Sequence, residues 1–137
     1  IAGITATGAL SVTSGGAITQ TGAIDANSTA SFTAGGNAIT LANAGNDFGG
    51  AVSLSNSGTN DVSLRDTNAL DLGTVGVGQD LTVTTGGALT DSEVVHIQGA
   101  TNPLARLPGA SETNGRASKC QTHFPVRASA NFYNENI

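Results

Sequence analysis

The chain has 137 residues and a formal net charge of −5, with only 4% aromatic and 11% charged residues. That length fits one domain of ordinary size. Four Phe, one Tyr and no Trp or Met are too few large side chains for a thick globular core, whereas the small net charge and regularly recurring Val, Ile and Leu exclude an intrinsically disordered chain.

Short strands follow one another in chain order, read from apolar residues two apart with Ser or Thr between them. The predicted strands are Ala9–Thr13, Ala17–Gln20, Ala23–Ala26, Ala30–Thr33, Ala38–Leu41, Ala51–Ser55, Asp61–Arg65, Ala69–Leu72, Asp80–Thr84 and Ala88–Thr90. Between them stand Gly15-Gly16, Gly35-Gly36, Gly45-Asn46-Asp47, Gly49-Gly50, Asn60-Asp61 and Gly86-Gly87. These are expected corners, because glycine supplies positive φ and Asn and Asp tolerate the left-handed region. No helical periodicity is present.

One segment recurs. Leu10-Ser-Val-Thr-Ser-Gly-Gly-Ala-Ile-Thr-Gln-Thr21 returns as Leu81-Thr-Val-Thr-Thr-Gly-Gly-Ala-Leu-Thr-Asp-Ser92, identical at seven of twelve positions. A looser copy covers Ala30 to Thr40, with Asn37 inserted after the glycine pair. Strand centres at Val12, Phe32 and Val52 or Leu54, then Val62 and Val83, advance in steps of roughly twenty to twenty-two residues, the length of one solenoid coil. The expected fold is therefore all-β, a β-solenoid of about four coils over residues 1–93. Val12, Phe32, Val52 or Leu54, and Val83 should point inward in stacked parallel strands, with the glycine pairs 15–16 and 86–87 at equivalent corners. Three strands crowd the stretch from Val52 to Val83, which predicts one longer coil there.

The quoted residues resemble a family. Ala17-Ile-Thr-Gln-Thr-Gly22, Ser31-Phe-Thr-Ala-Gly-Gly36, Asn46-Asp-Phe-Gly-Gly-Ala-Val-Ser-Leu-Ser55 and Leu81-Thr-Val-Thr-Thr-Gly-Gly-Ala-Leu-Thr90 look like the repeat region of filamentous-haemagglutinin-type exoproteins. The resemblance covers residues 4–93. It implies a right-handed parallel β-helix, export through the outer membrane by the two-partner (type V) route, and a shaft role in adhesion or biofilm formation. It further implies a secreted or cell-surface location, an outer-membrane transporter as partner during secretion, and a cell-surface receptor or glycan as ligand. The alternative is a passenger fragment of a secreted β-helix enzyme acting on polysaccharide.

Chemistry-bearing residues are sparse. Residues 1–93 hold eight acidic residues and one base, Arg65, with no basic stripe, so nucleic acid is not an expected partner. Asp61, Arg65, Asp66 and Asp71 are close enough in sequence to meet, yet the simpler reading is a solvated corner with one surface ion pair. Gly45-Asn-Asp-Phe-Gly-Gly50 superficially resembles a calcium-binding nonapeptide, but it occurs once, without the tandem copy that completes an oxygen cage. An Asx-rich turn is expected instead. Thr13, Thr33 and Thr84, or Thr19, Thr40 and Thr90, are candidates for an aligned outer column, read as ordinary strand-face filling. Cys120 and His123 are three apart, but no second Cys-His pair exists and His96 stands alone, so a zinc site is incomplete. No catalytic residue, no metal ligand and no cofactor is expected, and no membrane-spanning helix, since no run of about eighteen apolar residues exists.

Residues 94–137 differ in kind. All three prolines, four of five bases, both His and the only Cys lie there. Residues 94–99 are expected to form a capping strand around Val94–Ile97, and residues 100–137 an irregular or disordered tail. Such a tail is either a native capping or linker segment or the product of a shifted reading frame, the reading we prefer. With no Met anywhere and the repeat already running at residue 4, the chain is expected to be an internal fragment of a longer polypeptide.

Overall fold

Alternation of apolar and hydroxyl residues gives a strand two unlike faces, and a strand too short to bury its apolar face alone must stack on copies of itself. The computed structural model, which describes residues 1–93, 95–97, 120–122 and 132–133, shows this outcome. It is all-β, and every strand pair is parallel. The strands form a β-solenoid of about five turns, one more than the sequence spacing predicts.

Three faces wind around the lumen. Face A begins with β1 (Ile4–Ala6), β4 (Ile24–Ala26) and β7 (Asp47–Phe48). Face B carries β2 (Leu10–Thr13), β5 (Ala30–Gly35), β8 (Val52–Asn56), then β10 (Leu70–Val77), β13 (Val95–Ile97) and β15 (Phe132–Tyr133). Face C carries β3 (Ile18–Thr19), β6 (Ile39–Leu41), β9 (Val62–Asp66), β11 (Leu81–Thr85) and β14 (Cys120–Thr122). The long β10 serves two faces: its start, Leu70–Leu72, pairs with β12 (Leu89–Asp91), and its end, Val75–Val77, pairs with β13. The ten predicted strands are all present. Beyond them the structure adds β1, β7, the extension of β10, β13 in the stretch expected to cap the stack, where it pairs with both β10 and β15, and the short β14 and β15. The rest of the predicted irregular tail lies outside the described residues.

Inward side chains stack in columns. Val12, Phe32, Leu54, Val75 and Val95 lie in register on face B. Ile18, Ile39, Val62 and Leu81 do so on face C, with Leu41, Leu64 and Val83 beside them. From Phe32 onward these residues are at most 3% exposed, whereas Val12 at the first coil is only partly buried. Val83 is thus inward as predicted, but its column is that of Leu41 and Leu64, not that of Val12. On face A, Ala26 is followed by Phe48, whose ring meets Phe32 edge-to-face at 6.2 Å and 83°. The two rings fill the lumen where small residues leave space, an arrangement that aromatic quadrupoles favour.

Because Val83 and Val12 occupy different faces, the predicted longer coil between Val52 and Val83 does not exist. Val62 pairs with Leu81, a step of 19 residues, and Val52 with Leu72, a step of 20. One coil is nevertheless irregular. Leu72 pairs with Val52 and Val75 with Leu54, so β10 carries one extra residue at Gly73-Thr74. This bulge switches the inward phase of the strand, with Leu72 and Gly73 buried in succession.

The glycine corners also divide. Of the predicted glycine pairs only Gly35 has positive φ (+53°), joined elsewhere by Gly3 and Gly58. Gly86 is required for space: a Cβ there would strike the carbonyl oxygen of Thr67 on the preceding coil. A Cβ at Gly15 or Gly16 would meet nothing within 4 Å. The corners at 15–16 and 86–87 are therefore not equivalent. The first joins face B to face C, and the second leads from face C to β12.

Candidate binding face

The polar residues drawn inside the solenoid are structural. Alternation continues one step past the apolar pair of three strands, so the third inward position is Asn56 after Val52 and Leu54, Asp66 after Val62 and Leu64, and Thr85 after Leu81 and Val83. All three are buried, as is Asn46. Each is satisfied where the chain turns. Asn46 Oδ1 accepts from Ile24 N at 3.0 Å and Gln20 Nε2 at 2.8 Å, while its Nδ2 donates to Leu41 O and Arg65 O, both at 3.1 Å. Asn56 Oδ1 accepts from Gly78 N at 3.0 Å, and its Nδ2 donates to Asn37 O and Asn60 O. Asp66 accepts Phe48 N at 2.8 Å and Asn68 N at 3.0 Å. Burial pushes the Asp66 carboxyl above its ordinary value, against the lowering effect of these backbone donors. Asn46 and Asp66 do the same work on successive coils: each accepts a face A amide one coil back.

The sequence pattern places Asn46 and Asp66 at turns and solvated corners and singles out neither Asn56 nor Thr85. Extending the period-2 alternation by one residue would have found Asn56, Asp66 and Thr85. Asn46 carries no such signal, because it enters the lumen from a turn.

The four charged residues Asp61, Arg65, Asp66 and Asp71 are not brought together. Asp61 Oδ1 accepts Asp80 N at 3.1 Å at one corner, Asp66 is buried at another, and Asp71 accepts the Thr90 hydroxyl on β10. Arg65 faces outward on β9 beside Thr84. The segment Gly45–Gly50 divides as well. Gly45 N donates to Asn43 Oδ1 in an Asx turn, whereas Asp47 and Phe48 form β7 and Phe48 is buried. The Thr columns are regrouped: Thr13 stacks on Thr33 and then Ser55, and Thr19 stacks on Thr40, Ser63 and Thr82. Thr84 and Thr90 belong to neither column. Cys120 begins β14 opposite Val83, and His123 lies outside the described residues. Among the described residues no three His, Cys, Asp or Glu are placed to hold a metal ion, and no helix is long and apolar enough to cross a membrane.

The outer surface of face B is the most distinctive feature. Its outward positions read Ser31 and Thr33 on β5, Ser53 and Ser55 on β8, Gly76 on β10 and His96 on β13. They line a shallow groove of about 540 Å³ along the stack, with Thr74 of the bulge at its side. The Thr74 hydroxyl donates to the Glu93 carboxylate. The bulge and Gly76 make the hollow, since Gly76 projects no side chain between Ser55 and His96.

Parallel coils, stacked aliphatic columns and buried Asn and Asp at the corners define a β-solenoid repeat protein. The chain belongs to the family described as repeats of unknown function (DUF5649), whose model matches residues 1–55 and again 59–111. No curated protein and no solved structure gives a significant match.

Proposed function

We propose that this chain is a structural and binding segment of a large bacterial surface-exposed or secreted adhesin, a β-helical shaft without catalytic activity. The observation that carries this reading is the unbroken inward column from Val12 through Val95, which makes the described coils one continuous rod. In a solenoid each coil contacts only its neighbours, so length is added without redesign of the core, as a shaft requires. The outward Ser, Thr and Asn residues give a hydrogen-bonding surface of the kind that meets cell-surface glycans or receptors. Resemblance of the Gly-Gly-Ala-(Ile/Leu)-Thr repeats to filamentous-haemagglutinin-type exoproteins supports export by a two-partner route with an outer-membrane transporter.

The test is display. An antibody raised against residues 1–93 should label intact cells that make the parent protein, and deleting the partner transporter should abolish that labelling. Deleting the coils in frame should lower adherence or biofilm mass. Retention of the protein inside the cell would overturn the proposal. Turnover of pectate or another acidic polysaccharide by the purified chain would favour the polysaccharide-enzyme alternative.

A further inference from the structure

We infer that the groove on face B is a binding subsite for an uncharged oligosaccharide lying along the solenoid axis. The inference deepens the adhesin reading and rests on the coils being displayed outside the cell.

Three observations carry it. The first is charge. The chain is acidic, yet among the described residues no Asp, Glu, Lys or Arg lines this groove, and the Glu93 carboxylate at its side is engaged by the Thr74 hydroxyl. The other faces are not so clear of charge: Asp25 and Asp47 stack on face A, and Arg65 projects from face C. A groove kept neutral on a charged protein does not favour an anionic glycan or a peptide selected by charge. The second is the state of the hydroxyls. Those of Ser31, Thr33, Ser53 and Ser55 engage no partner among the described residues. Free hydroxyls are not confined to the groove, since Thr19, Thr40, Ser63 and Thr82 on face C also bond to no described residue, but only on face B do they line a hollow. Each free hydroxyl both donates and accepts, which suits the hydroxyls of a sugar. The third is shape. Strands β5, β8, β10 and β13 lie side by side, so the groove crosses three spacings of ~4.8 Å, room for a short linear oligosaccharide. The bulge at Gly73-Thr74 and the bare Gly76 hollow its centre, and the half-buried His96 lines it on β13.

Gly76 gives a clean test. A Cβ there meets nothing within 4 Å, and its φ lies outside the left-handed region, so a side chain is tolerated and would project into the groove. The full chain, labelled with ¹⁵N, would be titrated with cellotetraose, maltotetraose and chitotetraose, and with tetragalacturonate as the anionic comparison. At least one neutral tetrasaccharide should shift the amides of Ser31, Thr33, Ser53, Ser55 and Gly76 saturably, with a Kd on the order of 1 mM, and be insensitive to salt. Gly76→Arg should weaken that binding about tenfold or more, whereas Thr40→Arg on face C should leave it unchanged. If Gly76→Arg does not fold, Ser55→Lys, at an exposed position in the same groove, takes its place. The inference is overturned if no neutral sugar shifts these amides at concentrations on the order of 10 mM. It is equally overturned if only tetragalacturonate binds, or if the groove variants bind as the parent does. Sugar binding by a protein that is not displayed would sink the adhesin reading and leave the groove standing. Adherence that survives Gly76→Arg with no sugar binding would do the reverse.

Discussion

Two copies of nearly the same twelve residues, Leu10–Thr21 and Leu81–Ser92, occupy unlike places in this molecule. Both make a strand, a glycine corner and a second strand. The first copy turns from face B to face C at the open first coil, where Val12 is partly buried and Gly15 and Gly16 face open space. The second turns from face C toward β12 inside the stack, where Val83 is 2% exposed and Gly86 presses on the Thr67 carbonyl. The repeated unit is therefore a strand–corner–strand, which any side of a three-sided coil accepts. What each residue contributes depends on its neighbouring coils, not on the motif.

The sharpest way to break this comparison is a buried charge at matched positions. Val83→Asp should destabilise the fold by at least ~3 kcal/mol, because the carboxylate has no partner between Leu64 and the next coil. Val12→Asp, reachable by water at the open end, should cost less than half as much. Urea denaturation of the two variants measures both, and equal losses would mean that the coils do not differ in burial as described.

The matched glycines come next. Gly86→Ala should cost roughly 1–3 kcal/mol, since a methyl group there overpacks against backbone that cannot swing aside. Gly16→Ala should lie within about ±0.5 kcal/mol of the parent, as at an ordinary surface site. A thermal melt separates the two.

Asp66 tests the corner inside the stack by pH. Its carboxyl is raised in the folded state by burial, so the fold favours the protonated form. The contribution is fully present below the ordinary aspartate value and is lost as pH rises through the raised one, with no further change above it. In Asp66→Asn that slope should vanish. A constant penalty of about 1 kcal/mol should replace it, because the amide Nδ2 would face the Asn68 N–H instead of accepting it. Denaturation midpoints at a series of acid pH values, compared between parent and variant, decide the point; parallel profiles would refute the role given to Asp66.

The smallest effect belongs to the exposed column on face C. Thr19→Asp should change stability by less than about 0.5 kcal/mol, since Thr19 faces water.

Much of this architecture can be read before any coordinates. Alternation in Leu10-Ser-Val-Thr13 or Leu81-Thr-Val-Thr84 marks strand and inward face alike, because side chains of a strand take opposite sides in turn. Recurrence at one coil length then excludes an antiparallel sandwich. Asp47-Phe48 was not legible as a strand, since two residues between glycines carry no period and only pairing with β4 extends them. The face B groove was not legible either. Ser31, Ser53 and Gly76 are about one coil apart in sequence, and their junction depends on the bulge at Gly73-Thr74, a register event between strands that no local pattern announces.

By itself, then, the sequence determined the kind of fold: small alternating strands, corners of Gly and Asn, and a thin aliphatic lumen, all consequences of local stereochemistry and period. Only the tertiary structure decided which face each copy of the repeat occupies, which glycines need space and which need positive φ, and which Asn and Asp turn inward. Those follow from stacking, because the distance from one coil to the next, not the residue's own preference, sets what a side chain touches.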